Sequence, residues 1–199
     1  MDTEQISRLL LAALDGLPAE TRAQYTGVFA ADQLVRGEAK LFEPGKRRVC
    51  IVNTDPSDEA GTHWFTLGVD ARESDEVKWF GFVFDSLALN AQVEYRFAFD
   101  HLATLPLCYV LRNRFATQDS EVDSCALHAM YMITMLLKEN LNFEQALGTF
   151  DTECALRNDC DLLENFNSFV QCETMLSSIL DLNNIVKDTH EQCSSVQPK

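Results

Sequence analysis

The stretch that decides the fold is Thr62-His63-Trp64-Phe65-Thr66-Leu67-Gly68-Val69, followed after a polar loop by Val77-Lys78-Trp79-Phe80-Gly81-Phe82-Val83-Phe84-Asp85. Both runs are rich in aromatic and β-branched residues and are bounded by turn formers, a pattern that predicts strands. With only the loop 70–76 between them, they predict an antiparallel hairpin whose second strand ends on an acid. Upstream, Arg47-Arg48-Val49-Cys50-Ile51-Val52-Asn53 reads as a buried strand, separated from the hairpin by the turn-rich run Thr54 to Gly61. A further short strand is expected at Leu107 to Leu111.

Helical patterns surround this group. Ile6, Leu9, Leu10, Ala13 and Leu14 fall on one face of a helix over residues 3–15, which Gly16 and Pro18 stop. Further helices are predicted at 90–102, 125–137, 143–150 and 160–180, before a polar tail from about Lys187. The order helix, three strands, helix, strand, helices gives an α+β class, with a mainly antiparallel central sheet flanked by helices. A single domain over 1–186 with a polar tail over 187–199 follows from the absence of repeats and linkers.

Composition narrows the functions. The chain has 199 residues, 46% of them hydrophobic, enough for one substantial core. With 16 Lys and Arg against 31 Asp and Glu, the net charge is −15. That surface repels a nucleic-acid polyanion. The longest apolar run, Ala126 to Leu137, is too short for a membrane span, and the acidic start lacks the basic, apolar and small-residue regions of a signal peptide. An intracellular, reducing location is therefore expected, with the seven cysteines as reduced thiols. Cys154, Cys160 and Cys172 lack C-x-x-C spacing and a neighbouring histidine, so no metal site is expected. Cys160, read as lying near a helix start, is flanked by carboxylates that disfavour its anion. A Gly-rich phosphate loop and an H-E-x-x-H motif are both missing.

Cys125 is the candidate nucleophile. It opens the apolar helix after Asp119-Ser120-Glu121-Val122-Asp123-Ser124, a run of capping residues. Unpaired N–H groups and the dipole at a helix N-terminus favour a thiolate and can hold an oxyanion. Taken alone, the same position also suits a packed thiol. Of the four histidines, His190 lies in the polar tail and His101 at a solvated helix end. His128, one turn beyond Cys125, is out of line with it. His63, at a strand start beside Trp64, stands where a sheet-borne base would, and Asp85 would share its sheet edge and orient its ring; taken alone, the two positions also suit a structural histidine and a strand-ending turn acid.

Four elements in order resemble the adenovirus protease (adenain) family, clan CE cysteine peptidases related to the Ulp/SUMO proteases. They are Ile51-Val52-Asn53-Thr54 with Gly61-Thr62-His63-Trp64, then Phe82-Val83-Phe84 closing on Asp85-Ser86, then Gln118 seven residues before the nucleophile, then Ser124-Cys125. Tyr25 to Phe29 and Asp32-Gln33-Leu34 resemble the family's entry segment before the first strand. The likeness covers roughly residues 5–140.

The resemblance implies a papain-like apparatus in permuted order. Cys125 attacks the scissile carbonyl, His63 serves as acid and base, and Asp85 fixes the ring. The Gln118 amide and the Cys125 N–H form the oxyanion hole. It further implies cleavage of viral or virus-like capsid and core precursors after Gly-containing motifs, in host nucleus, cytoplasm or virion, through a narrow channel with Trp64 and Trp79 as candidate walls. An activating peptide disulfide-linked through Cys108 is also implied, and no cofactor is required for the chemistry. The family's DNA activator conflicts with the −15 charge. Ala126 stands where the family usually has Gly, and Asp85 where adenovirus members often have Glu. The alternatives are a Ulp-like protease that deconjugates ubiquitin-like modifiers, and an inactive binding module on the same fold.

Overall fold

A computed structural model describes residues 1–59, 61–72, 79–89 and 95–172. The expected polar tail at 187–199, the end of the 160–180 helix, most of the loop 70–76, the first two residues of the 77–85 strand and the start of the 90–102 helix lie outside them. Among the described residues, no helix is long and apolar enough to cross a membrane.

The class is α+β, and the described residues form five strands in sequence order across one sheet. They are β1 (Tyr25–Phe29), β2 (Arg47–Asn53), β3 (Trp64–Asp70), β4 (Phe80–Phe84) and β5 (Tyr109–Arg112). The central trio β2–β3–β4 is antiparallel, and both outer pairings, β1 with β2 and β4 with β5, are parallel. The helices are α1 (Thr3–Ala13), α2 (Ala19–Arg22), α3 (Ala31–Val35), α4 (Arg96–Ala103), α5 (Cys125–Leu137), α6 (Phe143–Leu147) and α7 (Ala155–Cys172).

Two elements and one cysteine differ from expectation. Tyr25–Phe29 is a sheet strand rather than a mere entry segment; Gly27, at φ +131°, sits where its register slips. Helix α7 begins at Ala155, so Cys160 lies inside it rather than near its N-terminus. Cys160 is also disulfide-bonded, against the expectation of a free thiol. The described free cysteines are Cys50, Cys108, Cys125 and Cys154.

The alternation of strand residues creates two cores. Val49, Ile51, Trp64, Phe80, Phe82 and Phe84 face α1, α5, α6 and α7. Cys50, Val52, Phe65, Leu67, Val69 and Val83 face α3 and α4 on the other side. Helix α5 is apolar all round because it is enclosed between the sheet and three other helices. Gly68 makes room for this layer, since a Cβ there would lie 2.2 Å from the Phe82 ring.

Two polar ties fix α5 on the sheet. Buried Thr66 donates its hydroxyl to the Ala129 carbonyl at 3.1 Å. Arg47 donates to the Leu136 carbonyl at the C-terminal end of α5, where a cation complements the helix dipole, and to Asp70 Oδ2 at 3.0 Å. The helix is thus set so that its first residue, Cys125, emerges at the sheet edge where β3 begins and β4 ends.

Candidate active site

His63 stands one residue before β3, at the end of a loop that its own contacts close. The Asp55 carboxylate accepts the Thr62 N–H and hydroxyl at 2.7 and 2.6 Å, and Thr54 N donates to the His63 carbonyl at 3.1 Å. Asp85 follows β4 directly. Because β3 and β4 are antiparallel, with Thr66 opposite Phe84, the residue before one strand meets the residue after the other. His63 Nε2 lies 2.7 Å from Asp85 Oδ1.

The carboxylate is held from every side. Leu87 N donates to Oδ1 at 3.1 Å, while Leu89 N and the Tyr95 hydroxyl donate to Oδ2 at 2.7 and 3.1 Å. Asn113 exchanges hydrogen bonds with the Asp85 backbone on both N–H and C=O. Burial opposes the charge, but the hydrogen bond and charge of His63, with the Leu89 and Leu87 N–H groups, outweigh it and hold Asp85 below the ordinary carboxylate range. Tyr95 also stacks on His63, with ring centroids 6.1 Å apart and planes 16° from parallel.

Cys125 completes the group, lying close enough to His63 for its side chain to act on the ring's pKa. Burial works against an imidazolium, but hydrogen bonds to Asp85 and Cys125, and the charges of both, raise His63 from its ordinary 6.5 to about 9. The ring is therefore protonated at neutral pH. The structure brings His63, Asp85 and Cys125 together from a loop, a strand end and a helix start.

Gln118 lies on the same side. Its Oε1 accepts from the Ser86 hydroxyl at 2.6 Å, and its Nε2 donates to the Val122 carbonyl. The Ser86 carbonyl also accepts the Thr117 and Gln118 N–H groups at 2.7 and 3.1 Å. Ser86 thereby joins the residue that orients the base to the one that offers the amide. An amide nitrogen has two protons, and the Val122 contact uses one. Ser124, the N-cap of α5, makes no side-chain cap, because its hydroxyl donates to Asp159 instead. The first N–H groups of α5 keep the unpaired character of a helix N-terminus.

A cleft of about 40 Å³ opens on Cys125, lined also by Met1, Gly61, Thr62, Trp64, Asp123 and Leu127. Trp64 is a wall of it. Trp79 is not brought there: it packs edge-on against Phe42, ring centroids 5.2 Å apart, in the core on the opposite face of the sheet. Cys108 is exposed and free just before edge strand β5, and its N–H donates to the Trp79 carbonyl. His101 is half-buried rather than solvated, and that burial lowers its pKa. His128 is fully buried beside the triad but turned away from Cys125, toward Thr117 and Asp159.

Sequence reasoning missed Tyr95, Asn113 and Asp159 as partners of the site. Nothing local marks the first two. Asp159 stood in the run Asn158-Asp159-Cys160-Asp161, which was read only for its cysteine.

No protein-family model and no curated protein matches the chain. Three of the solved structures similar to it illustrate how distant the likeness is. One is AvrA delL154 with IP6 and CoA, at 19% identity over 69% of this chain and 50% of that one, TM-score 0.48. The second is HopZ1a in complex with IP6, at 11% identity over 76% and 51%, TM-score 0.47. The third is a de-sumoylating protease, at 12% identity over 95% and 85%, TM-score 0.46. The chain spans about half the length of the first two. Likenesses this distant say nothing about chemistry.

Proposed function

We propose that the chain is a cysteine peptidase that cuts after a small residue, glycine above all. One observation carries the reading: a half-buried imidazole bonded to Asp85 and close enough to Cys125 for the thiol to act on its pKa, with that thiol lining a narrow cleft. With Nε2 committed to Asp85, Nδ1 is the nitrogen left for the thiol. The proton rests on His63, and the Cys125 sulfur attacks the scissile carbonyl carbon. The C–S bond forms as the carbonyl electron pair moves to oxygen. That oxyanion would take hydrogen bonds from Gln118 Nε2 and the Cys125 N–H. His63 then gives its Nδ1 proton to the departing nitrogen as the C–N bond breaks, leaving a thioester. Water attacks the thioester, giving its proton to His63, and the C–S bond breaks to release the acid and restore the pair.

The resemblance in the sequence extends this to an endopeptidase of the adenain type, maturing viral or virus-like precursors at Gly-containing sites. An activating peptide held at exposed Cys108 belongs to that reading. The second reading keeps the chemistry and changes the substrate to a ubiquitin-like modifier, whose C-terminal glycine suits the same cleft between Gly61 and Trp64. Hydrolysis of internally quenched Gly-Gly peptides, set against a fluorogenic ubiquitin-like C-terminal amide, separates the two. Cys125→Ala is expected to abolish both activities while shifting the melting temperature little. Undiminished turnover by that variant, or labelling of Cys108 in preference to Cys125 by a thiol-directed inhibitor in the folded protein, would overturn the proposal.

A further inference from the structure

A second histidine–carboxylate pair lies one turn behind the nucleophile, sealed from solvent. His128 and Asp159 are both 0% exposed, and His128 Nε2 donates to Asp159 Oδ1 at 2.8 Å. The Thr117 hydroxyl meets His128 Nδ1 at 3.1 Å, so each ring nitrogen has its own partner. Phe150 stacks on the imidazole, with planes 11° from parallel.

The carboxylate accepts two further donors, and their positions are informative. The Ser124 hydroxyl donates to Oδ1, and the Asp119 N–H donates to Oδ2 at 2.8 Å. Asp119 directly follows Gln118, and Ser124 directly precedes Cys125. One buried carboxylate on α7 therefore grips the neighbours of both groups assigned to the oxyanion hole. The adjacent Asn158 adds a third hold, donating to the Thr117 carbonyl at 3.0 Å. A buried carboxylate is retained at a desolvation cost that several good donors must offset, and such a network rigidifies what it touches.

We infer that Asp159, oriented by His128, is a positioning residue that sets the spacing of the oxyanion hole by tethering the 117–124 loop to α7. The inference rests on the peptidase reading for the purpose of the hole, but the tether has a readout of its own. The diverted N-cap supports it. Ser124 gives up capping α5, the usual use of a serine there, to bond Asp159. The cap is exchanged for a link between the helix start and a distant element, and the first N–H groups of α5 keep no side-chain competitor for an incoming oxygen.

Asp159→Asn tests this, because it keeps the shape but turns one acceptor into a donor facing donors. Amide exchange over residues 117–126 should quicken by at least about tenfold, while β2 at 47–53 keeps its protection. Turnover of a Gly-Gly peptide should fall in kcat by about a hundredfold, as for loss of one oxyanion donor, with KM nearly unchanged. Alkylation of Cys125 by iodoacetamide forms no oxyanion and should keep its rate. Ser124→Ala removes one arm only and should give a smaller loss of the same kind, which carries the test if Asp159→Asn fails to fold. Unchanged exchange over 117–126 in both variants overturns the inference, as does alkylation that falls in step with kcat and melting temperature. If the wild-type chain cleaves no peptide, the peptidase reading fails while the exchange data still decide the tether.

Discussion

His63 turns Nε2, not Nδ1, toward Asp85, at 2.7 Å. The serine-protease triad uses the ring the other way round, with Nδ1 on the acid and Nε2 on the nucleophile. Here the acid stands at the end of β4 and the thiol at the start of α5, so the ring bridges two elements that meet at one end of the sheet. Its proton is held by both neighbours, which is why the imidazolium persists to about pH 9.

The first prediction concerns pH. His63 is raised from the ordinary 6.5 to about 9, so its pairing stabilises the fold fully below pH 6.5 and is lost as pH rises through 9. Asp85 is depressed, so its contribution is present above the ordinary carboxylate range and is lost as pH falls through the lower folded value. On the alkaline side, peptide turnover should fall near pH 9, because His63 no longer has a proton to give the leaving amine. Alkylation of Cys125 by iodoacetamide needs no such proton and should not fall there. Parallel decline of the two rates would show that His63 does not act as the acid.

Asp85→Asn should lower the alkaline limb. The substitution removes the charge that helps raise His63, so the ring loses its proton at a lower pH. The amide also fits the site poorly, since Oδ1 and Oδ2 both accept backbone N–H donors and one becomes a donor itself. Partial activity should survive, because the Cys125 contact with His63 does not pass through Asp85. A pH–rate profile measures both effects, and an unmoved alkaline limb would contradict the coupling.

Gln118→Ala should separate binding from chemistry. Loss of one oxyanion donor typically costs about 2.7–4 kcal/mol of barrier, or a fall in kcat of about 10²–10³. The Ser86 hydroxyl would lose its acceptor, so a modest fall in melting temperature is expected as well. Steady-state kinetics should show the change in kcat with iodoacetamide reactivity intact. A change confined to KM would place Gln118 in the substrate groove instead.

Legibility of the sequence followed the range of the forces involved. Strands β2, β3 and β4 were visible because alternation and β-branched content are local. Strand β1 was missed because Tyr25-Thr26-Gly27-Val28-Phe29 is short, contains a glycine at positive φ, and is a strand only through its parallel pairing with β2. Trp79 was misplaced although the pattern held the answer: Phe80, Phe82 and Phe84 alternate with Trp79, Gly81 and Val83, which puts Trp79 on the far face. His63, Asp85 and Cys125 were named from their types and places in the predicted elements and Gln118 from the family resemblance, while their meeting depends on the β3–β4 register and on Arg47 and Thr66 holding α5. Asp159 reaches Ser124 across 35 residues, and no local spacing announces such a contact.

Gly61→Ala probes the cleft from its least obvious wall. Gly61 does not need unusual backbone angles; its neighbours simply leave no room. A Cβ there would lie 2.1 Å from Asn53 Nδ2 and 2.6 Å from Trp64 Cζ2. Neither can yield freely. Asn53 ends β2 and accepts the Asp55 N–H, and Trp64 is buried in the core that α5 shares. Overpacking of this kind costs about 1–3 kcal/mol, and each kcal/mol lowers the melting temperature of a chain this size by about 2–4 °C. The loop that would move carries Asp55, Thr62 and His63, so the His63–Cys125 contact should lengthen and kcat should drop more than stability alone explains. Gly148→Ala is the control. Its φ is −68°, an added Cβ would meet only carbonyl oxygens at 3.4 Å, and little change is expected. If Gly61→Ala melts lower but keeps full turnover after correction for folded protein, the loop holds His63 in place independently of Asn53 and Trp64, and the cleft has more slack than its volume suggests.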